Sequence, residues 1–109
     1  MSEQAKKYDG GKPRMELLPR EGLEEIAKVL TFGAAKYDAH NWRKGMAWSR
    51  LAGACARHLF AWVAGENKDP ESGLSHLAHA GCCIVFLLTY EAHPQYAAQD
   101  DRHKETPHA

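Results

Sequence analysis

The fold is decided by one apolar stretch near the C-terminal end of the chain, Leu77-Ala78-His79-Ala80-Gly81-Cys82-Cys83-Ile84-Val85-Phe86-Leu87-Leu88-Thr89-Tyr90. It is long enough for about four helical turns and is apolar almost all round, which is typical of a helix buried on every side. We predict a helix C over about residues 70–91. Asp69 is its expected N-cap, with Pro70 in the first helical position.

Two amphipathic patterns precede this stretch. The first predicts a helix A over about residues 20–37, and the second a helix B over about residues 47–64 that ends at Gly65. Strand signals are nearly absent, so the predicted class is all-α. The apolar stripes consist of Leu23, Ile26, Ala27, Leu30 and Ala34 in helix A, and of Trp48, Leu51, Cys55, Leu59 and Trp62 in helix B.

Helices A and B alone cannot bury the whole apolar surface of helix C. We therefore expect a bundle of three main helices per chain that oligomerisation completes, as a homodimer or a homotetramer. The 109 residues are expected to form a single domain, residues 1–109. The N-terminal residues 1–6 and the C-terminal residues 93–109 are predicted to be flexible tails.

Composition excludes several classes of protein. Fourteen basic residues balance fourteen acidic ones, which disfavours a partner such as duplex nucleic acid. No run of about 18 apolar residues and no signal peptide is found, so no membrane association is expected. Three cysteines, two of them adjacent, give no disulfide framework and fit the cytoplasm.

Acidic side chains and histidines surround the turn between helices B and C. Glu66 and Asp69 lie three residues apart, a spacing that suits a hard divalent cation such as Mg²⁺ or Mn²⁺. His76 and His79 are also three apart, so on a helix their side chains converge. The structural alternative is that Asp69 only caps helix C and that Glu71 only favours its dipole.

Helix B contributes two further candidates. His58 shares the register of Leu51, and it is either a hydrogen-bonded core residue or a third histidine of the same site. Arg57 has small neighbours such as Gly53, which leave room for its guanidinium to bind a phosphate in bidentate fashion. A solvated arginine is the alternative.

Cations and aromatic residues cluster in segments without a strong helical pattern. Aromatic rings beside amides and cations can stack on a base while the cations hold phosphates. The double glycine before Lys12 lacks the spacing of a Walker phosphate loop. The candidates for substrate binding are Lys12, Arg14, Lys36, Tyr37, Asn41, Trp42 and Arg57.

Several separated motifs give the chain a family resemblance over roughly residues 7–91. In this order they resemble the dATP/dGTP diphosphohydrolase N-terminal domain family, which is common in bacteriophages and similar to the MazG-like all-α nucleoside triphosphate pyrophosphohydrolases. The motifs are Lys7-Tyr8-Asp9-Gly10-Gly11-Lys12-Pro13-Arg14, Phe32-Gly33-Ala34-Ala35-Lys36-Tyr37, Asn41-Trp42-Arg43-Lys44-Gly45, Arg57-His58-Leu59, Gly65-Glu66, Asp69-Pro70-Glu71-Ser72-Gly73 and His76-Leu77-Ala78-His79-Ala80.

The resemblance implies metal-dependent hydrolysis of purine deoxynucleoside triphosphates, with the products a monophosphate and pyrophosphate. MazG-like enzymes are helical dimers or tetramers that usually carry an E-x-x-E on one helix and an E-x-x-D on the next. Helix B has no acidic pair, and helix C has His76 and His79 where acids are expected. The ligand set is therefore our own inference from the residues.

The resulting hypothesis is an enzyme of the cytoplasm, or of the host cytoplasm if a phage encodes it. A non-catalytic helical oligomer that binds nucleotides or metal is the alternative. In the enzyme, Glu66, Asp69 and Glu71 are the catalytic candidates, and the metal is Mg²⁺ or Mn²⁺. The metal-ligand candidates are Glu66, Asp69, His58, His76 and His79.

Overall fold

The computed structural model describes residues 3–102. Within that range the regular structure is helical, and the β-type pairing is an isolated bridge between Lys68 and Ser75. The predicted all-α class with three main helices is confirmed. The main helices are α1 (Arg20–Lys36), α2 (Trp48–Val63) and α3 (His76–Ala92), and short 3-10 helices span Met15–Leu17, Asn41–Lys44 and Pro94–Gln99.

Helix α1 packs on α3 through its apolar stripe. Val29 is buried against Ala78 and Cys82 of α3, with Ile26 beside it. The approach is close at Gly81, where an added Cβ would lie 3.0 Å from Cδ1 of Ile26. The glycine therefore allows the two helices to meet without a clash.

Helices α2 and α3 form the larger apolar interface, and they run antiparallel. Trp48 and Leu51 at the start of α2 pack with Cys83 and Tyr90 in the second half of α3. His58, near the end of α2, meets the first residue of α3, His76. This pairing brings the predicted histidines of two different helices to one end of the bundle.

The predicted start of helix C is wrong. Helix α3 begins at His76, and its N-cap is Ser75, whose hydroxyl accepts a hydrogen bond from the backbone N–H of Leu77. Asp69 is therefore not an N-cap, and Pro70 is not the first helical residue. Gly73 adopts a left-handed backbone with a φ of 71°, which a continuous helix cannot contain.

Two residues of α2 are more exposed than the prediction placed them. Leu59 and Trp62, predicted for the inner stripe, are 39 % and 43 % exposed. Since His58 already lies opposite the first residue of α3, the last turn of α2 extends past the start of that helix.

The tail predicted from residue 93 packs against the bundle over its first ten residues. The buried ring of Tyr96 contacts Tyr90, and its hydroxyl donates to the carbonyl of Arg43. The carboxylate of Asp101 accepts hydrogen bonds from the backbone and the hydroxyl of Ser49. These contacts join Tyr96 and Asp101 to the bundle, and residues 103–109 lie outside the described part, so the flexibility of the tail stays a prediction.

Helix α3 is not buried on every side within one chain. Leu77, Ile84 and Leu88 lie on one face and are 44 %, 47 % and 58 % exposed. This face is where a second copy is expected, and oligomerisation stays a prediction. Over the described residues, no helix combines the length and the hydropathy that crossing a bilayer requires.

Candidate functional site

The three helices enclose a cavity of about 950 Å³ at the end of the bundle where the histidines meet. Its wall is formed by the C-terminal half of α1, the connection that follows it, the inner faces of α2 and α3, and the loop before α3. His79 and Phe86 both line it and are seven residues apart on α3, hence about 10 Å along the axis. The cavity therefore has a polar end near His79 and an aromatic end near Phe86.

Three histidines form a compact cluster at the polar end. The Nδ1 atoms of His58 and His76 lie 2.9 Å apart, across the interface between α2 and α3. The ring of His58 also stacks on that of His79, with 4.5 Å between centroids. The predicted inward orientation of His58 and the predicted convergence of His76 with His79 are both confirmed.

Glu66 reaches the cluster from its outer side. Its carboxylate lies 2.7 Å from Nε2 of His76, a histidine that is only 4 % exposed. Because a carboxylate accepts and does not donate, this contact assigns the proton of His76 to Nε2 and leaves Nδ1 directed at His58. Glu66 itself is half exposed and does not line the cavity.

The loop before α3 places Asp69 over the cluster. Backbone hydrogen bonds close this loop, from the N–H of Asp69 to the carbonyl of Leu74 and from that of His76 to the carbonyl of Asn67. The Asp69 carboxylate accepts a hydrogen bond from the backbone N–H of Ser72 at 3.0 Å. Burial raises the pKa of Asp69, but hydrogen bonds from Ser72 outweigh it and keep the pKa below its usual value. Asp69 is thus a charged group held in place.

His79 is positioned by the same loop. Its Nε2 lies 2.7 Å from the hydroxyl of Ser72 and 3.9 Å from the carboxylate of Asp69. Burial lowers the pKa of His79 more than Asp69 raises it. Burial, together with the neighbouring His79, also lowers the pKa of His58. Both rings are therefore neutral near pH 7, with a nitrogen lone pair available on each.

A metal-ligand group is present among these side chains. His58, Asp69 and His76 each offer one ligand atom, and the three atoms lie within 4.8 Å of one another. The residue types fit a divalent ion, because one carboxylate and two imidazoles are common ligands of such ions. Glu66 and His79, also predicted as ligands, lie beside this group and hydrogen-bond to His76 and Ser72.

Several predicted substrate-binding residues converge on the cavity, although they come from different segments. Lys36 forms an ion pair with Glu71, a predicted catalytic residue, and both line the wall. Lys12 and Arg14 do not line it, and Arg14 pairs with Glu16 instead. The predicted residues found in the wall are Lys36, Tyr37, Asn41, Trp42, Arg57, His58, Asp69, Glu71 and His79.

The aromatic end is formed by a stack. The ring of Trp42 lies 4.3 Å from that of Phe86 and nearly parallel to it, and the guanidinium of Arg43 lies 4.6 Å from the Trp42 ring centroid. One face of the indole is thus covered by Phe86. Since the Arg43 guanidinium also lies over the indole, any base that packs here meets the edge of this stack or displaces Arg43.

Sequence reasoning missed some residues of the cavity wall. One of them is Arg50, which lies seven residues before Arg57 on α2 and lines the cavity. This spacing puts both arginines on one face of the helix, and it could have predicted Arg50 from the sequence. Phe86 was assigned to the buried surface of α3. The hydroxyl of Ser72 gave no sequence signal, because its role depends on the conformation of the loop.

Comparison with known proteins agrees with this architecture. The sequence pattern of one family, described as dATP/dGTP diphosphohydrolase, N-terminal, matches residues 2–102. The chain belongs to this family. Family membership confirms the resemblance that the separated motifs indicated.

One curated relative is a protein of Salmonella phage PMBT28 named dATP/dGTP diphosphohydrolase. It is 37 % identical to this chain over 82 residues, which cover 75 % of the chain and 28 % of the relative. The chain thus spans less than a third of that relative's length. No solved structure matches the chain.

Proposed function

We propose that this family member hydrolyses dATP and dGTP to the monophosphate and pyrophosphate in a reaction that requires a divalent metal ion, Mg²⁺ or Mn²⁺. The observation that supports the proposal best is the two-ended cavity. A polar His/Asp cluster lies about 10 Å from an aromatic stack along one helix. A nucleotide has the same division between a polar phosphate chain and a flat base.

The printed name of the phage relative, dATP/dGTP diphosphohydrolase, supports the same substrate class. His58, Asp69 and His76 are the residues that would hold the metal ion, and Glu66 and His79 lie beside them. When bound, a divalent ion supplies Lewis-acid stabilisation of negative charge on the phosphates.

The side chains of the cavity have separate tasks in this proposal. Arg57 and Arg50 on α2, with Lys36 on α1, bind the phosphate oxygens as charge accumulates. Glu71 accepts the proton of the attacking water, since it lies on the wall and Asp69 would be a ligand of the metal ion. Tyr37 and Asn41, beside the Trp42–Phe86 stack, contact the base.

A second copy of the chain completes the bundle in the proposed enzyme. Leu77, Ile84 and Leu88 on one face of α3 are exposed, and Phe60 and Val63 in the last turn of α2 are more than 70 % exposed. Large apolar side chains exposed in this number are typical of an interface between subunits. We propose a homodimer or homotetramer that acts in the cytoplasm.

The purified chain, incubated with each of the eight common ribo- and deoxyribonucleoside triphosphates and Mn²⁺ or Mg²⁺, tests the proposal. We expect equimolar pyrophosphate and monophosphate, with dATP and dGTP the preferred substrates. Release of orthophosphate in place of pyrophosphate would contradict the reaction. Nucleotide binding without turnover would instead support the binding-module alternative.

A further inference from the structure

We propose that His58 and His76 chelate a borderline transition-metal ion through their Nδ1 atoms, with Asp69 as the third ligand, and that Glu66 is a positioning residue rather than a ligand. The inference rests on the proposed function and narrows its metal requirement, because of the two ions proposed there the site favours Mn²⁺ over Mg²⁺. The expected order of affinity places Zn²⁺ and Co²⁺ above Mn²⁺, and Mn²⁺ above Mg²⁺.

The distance between the Nδ1 atoms of His58 and His76 suits two ligands of one metal ion. Two nitrogen ligands at about 2.1 Å from one ion are roughly 3.0–3.4 Å apart, for angles from a right angle to the tetrahedral one. The Nδ1 atoms of His58 and His76 are 2.9 Å apart, close to the lower value. Without an ion, the same two atoms share a proton across this distance.

Asp69 supplies the third ligand of the group. Its side chain is only 19 % exposed, and its ligand atom lies within 4.8 Å of both imidazole ligand atoms. One carboxylate oxygen already accepts from Ser72, which fixes the orientation of the carboxylate. The three ligands thus come from α2, the loop and α3, whose relative positions are set by the packed bundle.

The environment of His76 assigns Glu66 its role. The carboxylate of Glu66 holds the Nε2–H of His76, which leaves the Nδ1 lone pair as the ligand. A carboxylate behind a ligating histidine orients the ring and makes it a better donor. Glu66 is also absent from the group of converging ligand atoms.

The donor set disfavours Mg²⁺. That ion takes oxygen ligands in near-octahedral geometry and is reluctant to lose its water molecules. Two imidazole nitrogens with one carboxylate are instead typical ligands for Zn²⁺, Co²⁺ and related ions. On α3, histidines stand where acids are expected. Because their ligand atoms are nitrogens, the site favours a different class of metal ion.

Metal titration of the untagged chain, without nucleotide, tests the inference. Isothermal titration calorimetry measures the affinities for Zn²⁺, Co²⁺, Mn²⁺ and Mg²⁺, and visible absorption of the Co²⁺ form reports its ligands. We expect Co²⁺ to bind at least tenfold more tightly than Mg²⁺. Equal affinities for the two ions would overturn the inference, whatever the chain does with nucleotides.

Variants separate the ligands from the positioning residue. His58→Ala and Asp69→Asn should abolish the Co²⁺ bands, while His93→Ala, at an exposed histidine outside the cluster, should leave them unchanged. Glu66→Gln should weaken Co²⁺ binding about 10- to 100-fold yet retain the shape of the spectrum, because the ligands stay the same. A changed spectrum in Glu66→Gln would make Glu66 a ligand and overturn its assignment.

The outcome is independent of catalysis. Specific Co²⁺ binding without triphosphate hydrolysis would confirm the metal site and reject the proposed reaction. Hydrolysis in a chain whose Co²⁺ binding is unaffected by His58→Ala would reject the metal site alone. Circular dichroism of each variant establishes that the helices are retained.

Discussion

The hydroxyl of Tyr90 donates a hydrogen bond to the backbone carbonyl of Trp42 at 2.5 Å. This bond ties the second half of α3 to the connection that carries Asn41 and Trp42. Tyr96 makes the equivalent bond to the carbonyl of the next residue, Arg43, at 2.7 Å. The aromatic wall of the cavity is therefore positioned by two tyrosines that do not themselves line it.

Tyr90→Phe should destabilise the protein. The substitution keeps the ring, which is only 1 % exposed, but leaves the Trp42 carbonyl with the backbone N–H of Gly45 as its donor. The loss of one such bond is worth about 0.5–1.5 kcal/mol of unfolding free energy. Urea unfolding followed by circular dichroism measures it, and Tyr8→Phe, at a tyrosine that is 84 % exposed, is the matched control. An unchanged midpoint would show that the hydroxyl of Tyr90 adds nothing to the bond that the carbonyl already accepts from Gly45.

Asp69→Asn should abolish divalent-dependent turnover without unfolding the loop. The asparagine side-chain oxygen can still accept from the backbone N–H of Ser72, whereas the negative charge facing the histidines is lost. Circular dichroism should therefore match that of the wild type while pyrophosphate release disappears. Glu16→Gln, at an exposed acid outside the cavity wall, is the control. Full activity in Asp69→Asn would move the site toward Glu21, Glu24 and Glu25.

The metal-free protein should lose stability as the pH falls below about 6.5. The pKa values of His58 and His79 are lowered in the folded state from 6.5, mainly by burial, so the unfolded chain binds protons first. Stability from the two neutral rings is present above pH 6.5 and is lost as the pH falls through their folded-state pKa values. Thermal melts in EDTA between pH 5 and 8 measure the slope.

The variant carrying His58→Gln and His79→Gln provides the comparison for these melts. Its melting temperature should depend less on pH than that of the wild type, whatever its absolute value. His40→Asn is the control for these melts. It removes an exposed histidine, and asparagine tolerates the left-handed backbone found at this position. An equal slope in the double variant and the wild type would assign the pH dependence to other groups.

Periodicity predicted the helices well because their apolar stripes are local features of the sequence. It failed at the start of α3, where Asp69 and Pro70 match the pattern of a helix N-terminus. The loop takes a different course because Gly73 adopts a left-handed conformation and backbone hydrogen bonds close residues 67–76. These bonds join residues up to nine positions apart, which no local pattern records.

The candidate site was predicted as a set of residue types rather than as an arrangement. The histidines were found because His58 shares a stripe with Leu51, and because His76 and His79 share a helical face. The role of Glu66 toward His76 depends on the loop geometry, and that of Arg50 on the course of α1 along the cavity. The contact of Glu66 has no sequence signature, whereas Arg50 has one in its heptad spacing to Arg57.

The wild-type chain should form a particle of at least twice the 12.2 kDa of a single chain at micromolar concentration. Leu88→Glu should convert it to a monomer, because a charge on the exposed face of α3 is tolerated in water but not in an apolar interface. Light scattering measures the mass. Leu17→Glu, at a leucine 67 % exposed outside α3, should leave it unchanged. A 12 kDa wild-type particle would contradict the prediction.

Arg57→Ala should lower kcat/KM for the best deoxynucleoside triphosphate about 10- to 150-fold. This range corresponds to the loss of one charge-assisted hydrogen-bonding contact of about 1.5–3 kcal/mol to a phosphate. The guanidinium lines the cavity and lies over Gly53, where an added Cβ would come within 3.5 Å of its Nη1. Such a Cβ would make an ordinary van der Waals contact, so this conformation of Arg57 would also tolerate alanine at Gly53.

Arg57→Lys should not rescue the activity lost in Arg57→Ala. The lysine keeps the charge, but an ammonium cannot form the two parallel hydrogen bonds with which a planar guanidinium binds a phosphate. Steady-state kinetics of both variants decide the point, with Arg20→Ala as the control because Arg20 is exposed and pairs with Glu24 on the outer surface of α1. If Arg57 formed only a surface contact, both variants would keep the wild-type kcat/KM, because such contacts contribute little. A lysine variant with full activity beside an impaired alanine variant would instead mean that Arg57 acts as a point charge, and the phosphate would then be held chiefly by Lys36 and Arg50.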